Sequence, residues 1–200
     1  MGYYPSVRGI TIRLAGNDKF KVKKAQEKIQ DLLGNSVYSL EGESIAEIVV
    51  NLCKEKNLIV SVAESCTGGS IADMITNVPG SSAVFKEGYI VYSNEAKSKL
   101  LGVDPRILKE HGAVSIKTVE AMVKGLKNKT GADIAIGVSG IAGPDGATPG
   151  KPVGLVYLAV AYKDKIYVQK INFDRGRLKN KEFAAYAALN RVRLALINDE

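Results

Sequence analysis

Leu58-Ile59-Val60-Ser61-Val62-Ala63-Glu64-Ser65-Cys66-Thr67-Gly68-Gly69-Ser70-Ile71-Ala72-Asp73-Met74-Ile75 decides the fold. Its first six residues form a short apolar run that reads as a mostly buried strand, and Ser70 onward opens a helix. Between the two lie three nucleophile-bearing side chains, Ser65, Cys66 and Thr67, followed by Gly68 and Gly69. A strand–turn–helix junction leaves backbone N–H groups unpaired and aims the positive end of the helix dipole at one pocket. Such a pocket favours a phosphate, a carboxylate or a developing oxyanion. The two glycines let the backbone come close to a ligand. The same residues also serve as an ordinary N-cap and turn. The run fits neither the phosphate-loop pattern nor the Gly-x-Ser-x-Gly elbow, which removes the usual support for common nucleotide hydrolases and α/β-hydrolases.

Outward from this junction the chain alternates strands with helices. Upstream, Ser44 and Glu47 fit a capping box, and Ile45, Ile48, Val49, Leu52 and Cys53 recur at helical spacing. The pattern predicts strands at Leu58–Ala63, Gly88–Tyr92, Ala132–Ser139, Val153–Tyr162 and Lys165–Phe173, with a final helix from about Lys179 to Ile197. Helical crossovers imply parallel pairing, whereas the last two strands, joined by Lys163-Asp164, must form an antiparallel hairpin. The expected fold is therefore α/β: a three-layer α/β/α arrangement around a mixed, mainly parallel five-stranded sheet, with a small N-terminal α+β segment. That segment, residues 1–42, reads as βαβ. Val7–Leu14 alternates like a strand, Asp18 to Leu33 is a lysine-rich amphipathic helix, and Ser36–Leu40 offers a second strand. The main domain is expected at 43–200.

Composition narrows the class without naming it. Apolar residues make up 46% of the chain, enough for a core. No signal peptide and no long uncharged apolar segment is visible, so a soluble cytoplasmic protein without membrane association is expected. The two cysteines, Cys53 and Cys66, make neither a disulfide framework nor a zinc-site spacing, and no metal or cofactor is expected. A net charge of +7 suits an anionic ligand and equally suits nonspecific nucleic-acid contact. Lys19 to Lys28 reads as a solvated helix face, and residues 1–42 hold no Gly-x-x-Gly loop of the kind that grips RNA, so nucleic acid is not the expected partner. The oligomeric state is not legible; a homodimer is compatible with everything above.

Three further motifs complete a pattern: Glu87-Gly88-Tyr89-Ile90-Val91-Tyr92-Ser93-Asn94-Glu95-Ala96-Lys97, His111-Gly112-Ala113-Val114-Ser115 and Gly137-Val138-Ser139-Gly140-Ile141-Ala142-Gly143-Pro144-Asp145-Gly146. Together with the Glu64–Gly69 run, and in the same order, they resemble the CinA C-terminal family, whose characterised members are nicotinamide-nucleotide amidohydrolases (NMN deamidases). The resemblance covers roughly Glu43 to the C-terminus. It implies Ser65 as nucleophile and Lys97 as its partner base, with Tyr92 and Ser139 as further active-site residues. It also implies a basic residue near the start of the last helix that holds the substrate phosphate. Here Asp174-Arg175-Gly176-Arg177 supplies two arginines in a shifted spacing, which leaves the choice between Arg175 and Arg177 open. Residues 1–42 are similar to the KH-like segment that joins this domain to a larger N-terminal domain in longer CinA proteins. With that larger domain absent, its pyrophosphatase activity is expected to be absent too.

The serine–lysine pair has a physical case of its own. A serine hydroxyl is a weak nucleophile until a neighbour takes its proton, and histidine is the usual neighbour. The single histidine, His111, falls in the last turn of a short helix ended by Gly112, where a dipole-stabilising role is the simplest reading. Lysine then remains as base, provided burial lowers its pKa toward neutrality. Cys66 competes with Ser65, because a thiol at a helix N-terminus ionises more readily than a hydroxyl. Glu64 stays open between orienting Lys97 or a hydroxyl and acting as a plain helix-start acid. The glycine- and proline-rich loop from Gly140 to Pro152 is long for a compact domain. It is expected to bring Ser139 and the following N–H groups into the same crevice as the first run.

The reaction implied is hydrolysis of the carboxamide of nicotinamide mononucleotide to nicotinate mononucleotide and ammonia, a step of pyridine nucleotide recycling. Cys66, Thr67, Gly68, Gly69 and Gly140 would line the substrate and steady the oxyanion, and Arg175 or Arg177 would hold the phosphate. A catalytically silent nucleotide-binding module, or a scaffold acting through the basic N-terminal piece, are the alternative readings.

Overall fold

A computed structural model of the chain describes residues 1–198; the last two residues of the expected main domain lie outside this range. The elements run β1 (Gly2–Ser6), β2 (Gly9–Arg13), α1 (Lys19–Leu33), α2 (Ile45–Glu55), β3 (Val60–Glu64), α3 (Ser70–Thr76), β4 (Phe85–Ile90), α4 (Asn94–Leu101), α5 (Pro105–His111), α6 (Ile116–Thr130), β5 (Ile134–Gly140), β6 (Leu155–Tyr162), β7 (Lys165–Asn172) and α7 (Arg177–Ile197). Strands β3 to β7 form one sheet in the order β4-β3-β5-β6-β7. β3 pairs in parallel with both β4 and β5, while β5–β6 and β6–β7 are antiparallel. This is the mixed five-stranded α/β sheet that the pattern of apolar runs predicts.

Helices cover both faces. On one, Val62, Ile136, Val138 and Leu158 pack under α2, α3 and α7. On the other, Ala63, Ala135 and Ala159 pack beneath Leu101, Val119, Met122 and Val123 from α4 and α6. Small side chains on this second face bring its helices close to the sheet. α4 and α6 approach so tightly that a Cβ on Gly125 of α6 would lie 1.8 Å from the Leu101 carbonyl oxygen at the end of α4. α4 therefore has a fixed seat, which matters because it carries Lys97.

The chain leaves β3 toward β4 on one side, and β5 pairs on the other. The ends of these three strands consequently open a crevice at the point where strand order reverses, the usual ligand position in open α/β sheets. Ser65 follows β3, Tyr92 follows β4, and Ser139 lies at the end of β5.

The N-terminal segment differs from its expected βαβ order. Of Val7–Leu14, Val7-Arg8 is a turn and Gly9–Arg13 is strand β2, which pairs antiparallel with β1 in register Gly2↔Arg13. Ser36–Leu40 forms no strand, and Gly34–Ser36 is a single 3₁₀ turn. The order is ββα because the chain reverses tightly at Val7-Arg8, so that β2 pairs back on β1 rather than on a later segment. α1 has an N-cap, Asp18 accepting from Phe20 N and Lys21 N, yet buries no residue completely. Among the described residues no helix is long and apolar enough to cross a membrane.

Gly125→Ala is expected to lower the stability of the fold by about 1–3 kcal/mol, the usual cost of forcing an extra methyl into a filled contact. The midpoint of urea unfolding measures it, and a midpoint equal to that of the parent would contradict the packing described.

Candidate active site

Every residue of β3 is buried, and its last carboxylate does not stay with the strand. Glu64, fully inaccessible, reaches to the first turn of α3 and accepts hydrogen bonds from Gly69 N (3.0 Å), Ile71 N (3.1 Å) and Ala72 N (2.9 Å). A carboxylate on the orphan N–H groups of a helix start is favourable both as hydrogen bonding and against the helix dipole. It also corrects the sequence reading in one respect: the end of α3 is satisfied from within, and Gly69 N–H is committed to Glu64. The residue left open in the sequence thus orients neither Lys97 nor a hydroxyl.

Between the two anchors the chain makes a tight turn. Ser65 N donates to the Val138 carbonyl of β5 at 3.0 Å, and Gly68 N donates back to the Ser65 carbonyl at 3.2 Å. Gly68 and Gly69 have φ of 61° and 100°, the left-handed region in which a side chain would be strained. Cys66 N and Thr67 N have no acceptor among the described residues. At the end of β5, Ile141 N donates to the Leu155 carbonyl, so the adjacent Gly140–Val156 pair is a non-hydrogen-bonded one and Gly140 N–H is directed away from β6. These three N–H groups are the donors available to a developing negative charge.

Ser65 Oγ meets Lys97. Ser93 caps α4 by accepting from Ala96 N at 3.0 Å, which turns the first helical residues toward β3. Lys97 is only 1% exposed, although its neighbour Lys99 is solvated like a normal helix lysine. Its Nζ lies 3.1 Å from Ser65 Oγ and donates to the carbonyls of Val91 (2.9 Å), Tyr92 (3.2 Å) and Ser93 (3.4 Å). Among the described residues no carboxylate pairs with it. Burial lowers its pKa below the ordinary lysine value, with weaker opposing pulls from Cys66 and Glu95. The Cys66 thiol, by contrast, is pushed up to about 12 by burial and points into the apolar core. A thiol so placed is almost entirely protonated near neutrality, which leaves the hydroxyl of Ser65 as the group beside a base.

Arg177, the first residue of α7, spans the crevice: Nη1 donates to the Gly143 carbonyl at 2.7 Å and Nη2 to Tyr92 Oη at 3.3 Å. Tyr92 is 60% exposed, so its ring forms part of the rim. Arg175 contributes its backbone N–H to Asn180 Oδ1 (3.0 Å). The structure thus ties Arg177, rather than Arg175, to other residues of the crevice. Ser139 is buried, and its hydroxyl donates to the Ala113 carbonyl at 2.7 Å, bracing the end of β5 against the loop before α6. Thr67 Oγ1 is buried and has no partner. His111 faces Glu110 at 3.8 Å, and its carbonyl accepts from Lys151 Nζ at 2.7 Å, well apart from Ser65 in its bonding. Among the described residues there is no cluster of His, Cys, Asp and Glu arranged to hold a metal.

Residues 42–196 match the family described as CinA C-terminal domain. The chain belongs to that family. A CinA-like protein of Kosmotoga olearia is 48% identical over 174 residues, 86% of this chain and 42% of its own length. One from Thermotoga maritima is 42% identical over 189 residues, 94% of this chain and 46% of its own. Among solved structures, the competence/damage inducible protein CihA from Agrobacterium tumefaciens superposes with a TM-score of 0.74 at 38% identity, covering 77% of this chain and 94% of that one. The chain spans less than half the length of the curated CinA relatives it matches.

Two residues of this CinA site escape sequence reasoning. Asn180, 2% exposed, bridges Arg175 N and the Ala142 carbonyl (3.0 Å), and so fastens the Gly140–Pro152 loop to α7. A polar residue one turn into a helix gives no sign of being buried until the loop is placed over it. Lys181 brings its Nζ to 3.5 Å from the position a Cβ on Gly68 would take. Its spacing of four from Arg177 is the signal that was there to be read.

Glu64→Gln exchanges one acceptor oxygen for an amide N–H₂ that faces N–H donors. It is expected to destabilise the protein by about 1–3 kcal/mol, the cost of leaving a buried donor unsatisfied. Chemical denaturation with an unchanged slope checks this; parent-like stability would contradict the clamp.

Proposed function

We propose that this chain is an amidohydrolase that converts nicotinamide mononucleotide to nicotinate mononucleotide and ammonia by a serine–lysine mechanism. The observation that carries the reading is the buried contact of Lys97 Nζ with Ser65 Oγ at 3.1 Å, with no acidic partner for the lysine among the described residues. A binding module has no use for an uncompensated amine buried against a hydroxyl, whereas a hydrolase needs it as proton acceptor. The amide and the nucleotide come from the family resemblance of the four motifs, and the cationic rim at Arg177 supports a phosphorylated substrate.

In this scheme the neutral Lys97 amine uses its two hydrogens on the nearest carbonyls, Val91 and Tyr92, and presents its lone pair to the Ser65 hydroxyl. Ser65 Oγ attacks the carboxamide carbon as its proton passes to Lys97. The carbonyl oxygen gathers negative charge, which Cys66 N–H, Thr67 N–H and Gly140 N–H stabilise. Lys97, now an ammonium, returns the proton to the departing nitrogen, and ammonia leaves an acyl-serine. Water, deprotonated by the same amine, attacks the ester. Collapse of the second tetrahedral intermediate expels Ser65 Oγ, which takes back the proton and frees the carboxylic acid. Tyr92 and Arg177 define the opposite end of the crevice, where the guanidinium holds the phosphate. Ser139 acts through the Ala113 carbonyl to brace the end of β5 against the loop before α6.

Incubation with nicotinamide mononucleotide is expected to release ammonia and nicotinate mononucleotide in equal amounts, and Ser65→Ala and Lys97→Met should each lower kcat by at least about a thousandfold. A folded parent that releases no ammonia would sink the reaction and leave a nucleotide-binding module in its place. Because Lys97 must be unprotonated to act, kcat/KM is expected to rise with pH on a single-proton limb whose midpoint lies below the ordinary lysine value, the direction that burial dictates. A midpoint at or above that value would contradict the assignment of the base.

A further inference from the structure

We propose that Lys181 is a ligand-binding residue of this site, a second cation that holds the phosphate of the substrate together with Arg177. The proposal rests on the reading of the site as one for a phosphorylated amide. Arg177 and Lys181 stand four residues apart on α7, so their side chains leave the same face one turn apart. Lys181 is half-buried, and its ammonium lies over the nucleophile turn, 3.5 Å from where a Gly68 side chain would begin. The ammonium thus packs directly on the turn that carries Ser65.

Neither cation is neutralised. Among the described residues Lys181 has no ion pair or hydrogen bond, and the adjacent acid, Glu182, is held instead by Arg8 at 3.2 Å. Both acceptors on Arg177, the Gly143 carbonyl and Tyr92 Oη, are uncharged. Two like charges a helical turn apart repel, and the arrangement is relieved by an anion lying between them. The dianionic oxygens of a phosphomonoester match this pair: the guanidinium offers its planar fork and the ammonium a point charge. The site is also rigid. Asn180, between the two cations, is buried and hydrogen-bonded to the loop at Ala142, which fixes the rotation of α7 about its axis.

The test compares nicotinamide mononucleotide with nicotinamide riboside, which lacks the phosphate, in the parent, Lys181→Met and Lys181→Arg, and titrates inorganic phosphate into each protein by calorimetry. Lys181→Met is expected to lower the ratio of kcat/KM for the mononucleotide over that for the riboside by about tenfold, through KM for the mononucleotide, and to weaken phosphate binding by a similar factor. Lys181→Arg should restore most of both. A parallel loss on the two substrates would assign Lys181 to the oxyanion or to structure and overturn the proposal, as would a parent-like ratio with parent-like phosphate affinity. Should the parent hydrolyse neither compound, the calorimetry decides alone. Phosphate binding that Lys181→Met weakens upholds the anion site while the reaction falls, and a parent that binds no phosphate overturns the site.

Discussion

The carboxylate of Glu64 governs the crevice, because it closes a strand onto the helix that follows it and so fixes the turn between them. Two N–H groups of α3 and that of Gly69, which caps it, converge on it, and a short helix that would otherwise present unsatisfied donors to the pocket is sealed. The turn from Ser65 to Gly68 then has little freedom: it begins at a hydrogen bond to β5 and ends at Gly69 under the clamp. The position of Ser65 Oγ is a consequence. The negative charge that satisfies the helix end also removes that end from competition as an anion site, so the donors left free are those beside the nucleophile.

A second constraint comes from the other face of the sheet. Lys97 is drawn inward by carbonyl groups of its own approach segment, Val91 to Ser93, and by no acid among the described residues. Carbonyl dipoles hold an amine in place without the full charge that would keep it protonated, while burial penalises the ammonium. Geometry and protonation are thereby set by different groups. The small residues of the α4–α6 contact, Gly125 above all, hold the helix close enough for the side chain to reach Ser65.

How much of this the sequence discloses depends on the range over which each feature is determined. The strand–turn–helix at Leu58–Ile75, the capping box of α2 and the hairpin at Lys163-Asp164 are local patterns, and each stands in the structure within a few residues of its reading. The N-terminal segment is the exception. A run of alternating residues does not reveal that the strand before it, containing Pro5 and interrupted by no turn-forming dipeptide, will fold back as its partner. At the site, Ser65, Tyr92, Lys97 and Ser139 are legible through four motifs and not through periodicity; nothing in the pattern around Lys97 distinguishes it from Lys99. Burial separates them, and burial is a property of the whole fold. Asn180 is illegible for the same reason, since the loop it holds is remote in sequence, and Lys181 shows only its spacing from Arg177 and not its place over the turn at Gly68.

The bridge between Tyr92 and Arg177 gives the site a history as well as a geometry. Ser65 and Lys97 are separated by 32 residues, but the Arg177–Tyr92 contact joins positions 85 apart and needs α7, which packs on α2, α3 and the sheet. As the chain emerges from the ribosome, the proposed nucleophile and base are complete in sequence long before the cationic rim is made. The catalytic pair can meet early, but a pocket able to discriminate between ligands exists only after the last helix has docked. Under the proposed reaction, chemistry and selectivity are thus separated in time during synthesis, and a chain interrupted before α7 carries the Ser65–Lys97 pair without the cationic rim.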